Sequence, residues 1–156
     1  MKYIEAFSTE HLPRYDAHDP EEQSLFLAGG ITDCGNWQAE VIKMLVNTGL
    51  VVINPRRKNW PMGDDAAAEQ QIRWEHEHLQ KSSMILFWFP PETLCPITLF
   101  EYGKWLVRTK PLFVGCHPRY RRLHDLQVQT MLERPNLNVF TDLEALVAEM
   151  KLSLQV

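Results

Sequence analysis

The run MILFWF at residues 84–89 has no charged or hydrogen-bonding side chain except one indole, and it stops at Pro90-Pro91. A strand with one wet face alternates apolar and polar residues; this run does not, so both of its faces must be covered. Such a strand belongs inside a parallel sheet with helices on either side. The pattern recurs in SLFLA (24–28), which ends in Gly29-Gly30, in LVVIN (50–54), closed by Pro55, and in PLFVGC (111–116). LNVF (137–140) reads as a last, shorter strand.

The segments between these runs have helical periodicity. NWQAEVIKMLVNTG (36–49) repeats Trp37, Val41, Met44 and Leu45, with Gly49 as the expected stop. DDAAAEQQIRWEHEHLQKSS (64–83) reads as a long helix capped by Asp64 or Asp65. Pro96 suits a first helical turn, and that helix is expected to run to about Thr109. Two more helices are expected over 124–133 and 142–154. Alternating strands and helices with right-handed crossovers predict an α/β fold. The expected form is a small doubly wound, flavodoxin-like (Rossmann-like) domain of about five parallel strands over residues 24–156. Residues 1–23 hold one strand-like run, KYIEAF, and a polar stretch with Pro13 and Pro20, read as an N-terminal arm or edge strand.

The formal net charge of −4 gives no basic footprint for a nucleic-acid polymer, and no apolar run is long enough to suggest a membrane partner. Cys34, Cys95 and Cys116 have no C-x-x-C spacing and cannot all pair within one chain, which fits free thiols and a cytoplasmic location. No metal site is expected, because Cys116 and His117 are adjacent rather than spaced as zinc ligands are. His76 and His78, two apart on one helix, are read as solvated.

In doubly wound folds ligands bind beyond the carboxyl ends of the strands. The loops there are GGITDCGNW, PRRKNWPMGDD, PPETLCPI and HPRYRRL. Gly29-Gly30 either allows close backbone approach to a ligand or is a tight turn. It is neither a dinucleotide fingerprint nor a Walker loop, so no cofactor is called for. Two carboxylates stand out. Glu75 shares a face with Ala68, Ile72 and Leu79, of which Ile72 and Leu79 are expected to point to the core. Glu101 lies in the apolar stretch CPITLFEYGKWL, in the second turn of its helix. Gly103 beside it would allow close packing or leave room for a ligand. Each glutamate alone could be a structural ion pair. Together at one crevice they can hold different protonation states, the equipment for displacement at a sugar anomeric carbon with retention, where two carboxyl groups stand roughly 5 Å apart.

LFLAGGIT…NW, VVINPRRKNW, IRWEHEHLQKSSMILFWFPPET and ITLFEYGKW, taken in order, resemble the nucleoside 2-deoxyribosyltransferase-like family over roughly residues 24–130. The resemblance implies that Glu101, in FEYG, is the nucleophile that forms a covalent deoxyribosyl-enzyme. It places Glu75 where the family keeps an aspartate that handles protons on the nucleobase. Gly29, Gly30, Ile31, Trp37, Asn54, Arg56, Trp60 and Pro90 become candidates for contact with the substrate, Trp60 by stacking on the base. Relatives complete their pockets from a neighbouring subunit, which implies a homo-oligomer, dimer or higher, with Tyr120 and Asp125 as candidate contributions. The implied ligands are a nucleoside and a free nucleobase. Related nucleotide hydrolases carry a phosphate-binding arginine in the first loop; its absence here favours a nucleoside, unless Arg56 or Arg57 supplies that contact. Hydrolysis at the same site and a non-catalytic nucleoside or nucleotide sensor are the alternative functions, and a plain interaction protein is the blandest.

Overall fold

The computed structural model describes residues 1–6, 23–57 and 65–154. The expected cap at Asp64, Trp60 and the polar stretch with Pro13 and Pro20 lie outside them. The elements run β1 (Lys2–Glu5), β2 (Ser24–Gly29), α1 (Trp37–Met44), β3 (Val51–Asn54), α2 (Asp65–Lys81), β4 (Met84–Phe89), α3 (Pro96–Leu106), β5 (Leu112–Cys116), α4 (Leu123–Glu133), β6 (Val139–Phe140) and α5 (Leu143–Ser153).

Every strand pairing is parallel, and the strand order is β1-β3-β2-β4-β5-β6. Without β1 this is the flavodoxin-like order. β1 extends the sheet beyond β3, with Lys2 opposite Val51 and Glu5 opposite Asn54. The predicted edge element is thus a sixth parallel strand of the same sheet.

The unbroken apolar runs are explained by the two cores. Along β4, Ile85, Phe87 and Phe89 face one cluster with Leu79, Tyr102, Trp105 and Leu126. Met84, Leu86 and Trp88 face the other, with Val41, Leu45, Leu146 and Met150. Helices α2, α3 and α4 therefore cover one face, and α1 and α5 the other. Chain direction reverses between β2 and β4: from β2 the chain turns toward β3, and from β4 toward β5. Right-handed crossovers then send α1 and α3 to opposite faces and open a crevice above the ends of β2 and β4.

Three local expectations are corrected. α1 ends at Met44, five residues before Gly49, because Thr48 folds back and gives both its amide and its hydroxyl to the Leu45 carbonyl. Ile72 does not point to the core: it is 65% exposed. The inward arc of α2 instead holds Gln71, Leu79 and the partly buried Trp74, Glu75 and His78, with Ile72 just beyond its edge. Gly103 is not a packing device, since a Cβ there would meet nothing within 4 Å. Among the described residues no helix is long and apolar enough to cross a membrane.

Candidate functional site

The crevice has two sides, joined by the segment that follows β3. On the β2 side, Gly29 sits where backbone and aromatic rings crowd together. A Cβ there would lie 2.3 Å from the Trp88 carbonyl oxygen and 2.5 Å from the Trp37 ring. A Cβ on Gly30 would meet Pro90 at 2.7 Å and the Cys95 sulfur at 3.0 Å. Both glycines serve close approach within the protein, and through Gly30 and Pro90 the first and third loops touch.

The Gly30 carbonyl is tied down twice, by Trp37 Nε1 at 2.9 Å and Gln38 Nε2 at 3.2 Å. Gln38 Oε1 in turn accepts from Arg56 Nε at 3.0 Å. Arg56 Nη2 donates to the Gly35 carbonyl at 3.1 Å and lies 3.4 Å from both the carbonyl oxygen and the sulfur of Cys34. Asn54 accepts from the Arg56 amide through Oδ1 and donates to the Tyr3 hydroxyl through Nδ2, both at 3.0 Å. Loop, guanidinium and edge strand form one connected network. Burial, the largest cause, pushes the Tyr3 phenol up to about 12, and its bond to Glu5 acts in the same direction.

Trp37 is only 4% exposed and belongs to the core beneath Gly29. Ile31 is partly buried in the first loop. Tyr120, at 3% exposure, packs its ring tilted against Phe89 and gives its hydroxyl to the Leu94 carbonyl at 2.9 Å. Its hydroxyl is thus committed within its own chain, whereas Asp125 is exposed and accepts from Arg122 at 3.4 Å. The three cysteines form no disulfide.

The other side of the crevice carries the carboxyl groups. α2 and α3 pack on the same face of the sheet and run side by side: Lys104 Nζ lies 3.5 Å from His76 Nδ1, and Arg108 donates to Gln80 at 3.5 Å. That alignment brings Glu101 of α3 opposite Glu75 of α2, close enough for their charges to repel. Burial, reinforced by the Glu75 charge, pushes the Glu101 carboxyl up to about 7, against a weaker pull from Lys104. Burial also raises Glu75, where a bond from Gln71 and the Arg57 charge oppose it. Two partly buried carboxyl groups that repel each other resist being ionised together.

Gln71 is a residue that apolar patterning passes over. Its Nε2 donates to the Pro55 carbonyl at 3.0 Å and to Glu75 Oε1 at 2.6 Å. The signal was its position four residues before Glu75, the spacing at which helical side chains meet. His78 is not solvated as expected. It stacks on Trp74 at 3.9 Å, with Nδ1 2.7 Å from the Trp74 carbonyl, and burial lowers its basicity.

The segment 54–57 joins the two sides. Asn54 and Arg56 serve the first loop, the Pro55 carbonyl receives Gln71, and Arg57 attracts Glu75. The family model described as "Nucleoside 2-deoxyribosyltransferase like" matches residues 22–120, more than half of the chain. No curated protein matches it.

Proposed function

We propose that this chain, which belongs to the nucleoside 2-deoxyribosyltransferase-like family, breaks and re-forms the N-glycosidic bond of (2'-deoxy)nucleosides. Deoxyribose passes from one nucleobase to another through a covalent glycosyl-Glu101 intermediate. The observation that carries this reading is the coupling of Glu101 to Glu75 across two packed helices, with burial holding both carboxyl groups above their ordinary range.

In the first half-reaction a Glu101 oxygen attacks the anomeric carbon as the C–N bond breaks. The electron pair goes to the base nitrogen, which takes a proton handled by Glu75. In the second, an incoming base gives its proton back to Glu75 and displaces Glu101. Splitting one substitution in two lowers each barrier, and a carboxyl group whose hold on its proton burial has strengthened, as in Glu75, serves as acid and then as base. The burial of Glu101 limits the access of water to the intermediate.

The commitment of Arg56 to Gln38, Cys34 and Gly35 supports a nucleoside over a nucleotide, because that guanidinium already holds the protein's own first loop. The pocket is proposed to be completed in a homo-oligomer, as the family resemblance implies.

Incubating the protein with a deoxynucleoside and a second free base, and separating the products, tests the reading. A new deoxynucleoside is expected. Free deoxyribose alone would make the protein a hydrolase, and no product across a broad panel of bases would overturn the assignment as an enzyme of this kind.

A further inference from the structure

The two carboxyl groups differ in what holds them. Glu75 Oε1 receives Gln71 Nε2 at 2.6 Å, and the Arg57 guanidinium adds an attractive charge from the segment after β3. Gln71 is only 3% exposed. Its two amide hydrogens go to Glu75 and to the Pro55 carbonyl. Because that carbonyl can only accept, the amide cannot turn over and offer its oxygen to Glu75 instead. Among the described residues Gln71 Oε1 is buried without a donor, an arrangement that folded proteins rarely keep. The side chain is held for its donating end, and that end favours a charged Glu75.

Glu101 lacks such help. Among the described residues it accepts no hydrogen bond. The charges facing it are Glu75 from α2 and Lys104 from its own helix, the latter 3.5 Å from His76.

From this asymmetry we infer that Gln71 is a positioning residue that fixes where the shared proton rests, keeping Glu75 as the carboxylate and Glu101 as the acid in the unliganded protein. The group proposed to attack is therefore masked at rest. That consequence rests on the function proposed above; the location of the proton does not. On that function, the proton passes from Glu101 to Glu75 and on to the leaving nitrogen as the C–N bond breaks. Glu101 is freed as a nucleophile only when a base is present to take the proton. The pair starts and ends each half-reaction with the same net charge plus whatever the base carries away or returns.

The test is a carboxyl 13C NMR titration of the full chain labelled at glutamate, without substrate. One resonance should titrate near pH 7, vanish in Glu101→Gln, and persist at lower pH in Glu75→Gln, where the repelling charge is gone. In Gln71→Met the high titration should pass to Glu75, and the acidic limb of kcat/KM should move up by about one pH unit. Gln71→Asn, polar but one methylene shorter, serves if the Met variant does not fold. The inference is overturned if the high-titrating resonance disappears in Glu75→Gln and survives in Glu101→Gln, or if both Gln71 variants titrate like wild type. An inactive protein with the expected titration would remove the proposed function and leave this inference standing. An active one with the reversed assignment would do the opposite.

Discussion

The two sides of the crevice are built on opposite plans. On the β2 side the polar groups of the loop are answered by partners: the Gly30 carbonyl by two donors, Arg56 by Gln38 and the first-loop carbonyls, Asn54 by Tyr3 and the Arg56 amide. On the α2–α3 side the Glu101 carboxyl group is largely buried, faces a second carboxylate and receives no donor from the described residues. A satisfied network fixes shape, whereas an unsatisfied buried charge stores reactivity. One side is built to hold shape and the other carries the proposed chemistry, a division that substitutions on each side can test.

The largest effect should fall on the chemical side. Glu101→Gln keeps size and removes the nucleophile, so base exchange should drop by at least about 1,000-fold with the fold intact by circular dichroism. A variant within tenfold of wild type would dismiss Glu101 as the attacking group.

Substitutions on the scaffold side should act through stability first. Gly29→Ala drives a Cβ against the Trp88 carbonyl, which cannot move without disturbing β4. Urea denaturation should show a loss of about 3 kcal/mol. Gly30→Ala meets side-chain atoms of Pro90, Thr93 and Cys95 and should cost less; the reverse order would contradict the packing described here. Arg56→Ala, which releases the first loop, should cost about 2 kcal/mol in the same assay.

The smallest effect is a pH dependence. The folded-state value of Glu101 lies above its ordinary one, so its contribution to stability is fully present below about 4.5 and is lost as pH rises through about 7. Glu101→Gln should therefore gain on wild type by about 1–2 kcal/mol between pH 4.5 and 8, after allowance for partial exposure. A stability difference that stays flat over that range would mean the carboxyl is not desolvated.

Sequence patterning carried the architecture because each central strand must be apolar on both faces, and the end of a strand in such a fold tells where ligands go. It located Glu75 and Glu101 by the same logic. It erred where a side chain's chemistry and its location part company. Ile72 looked inward by apolarity, yet the inward arc of α2 is filled by Gln71, Trp74 and His78: the Gln71 amide donates to the Pro55 carbonyl, and the His78 ring meets the Trp74 carbonyl. Which face of a helix is buried depends on what packs against it, and the Pro55 carbonyl that receives Gln71 is sixteen residues away in sequence. The early end of α1 escaped for a related reason: the Thr48 turn competes locally with the helix, and periodicity does not register it.

Lys110, just ahead of β5, gives its ammonium to the carbonyls of Leu79, Gln80 and Ser82 at the far end of α2. The helix that carries Glu75 is thereby moored at its trailing end, while its middle is held by Gln71 to the segment after β3. With a rise of about 1.5 Å per residue, the anchors at Gln71 and at Leu79 to Ser82 bracket Glu75 along the helix axis. The helix that bears one of the two carboxyl groups is thus held in part by a cation from another segment of the chain.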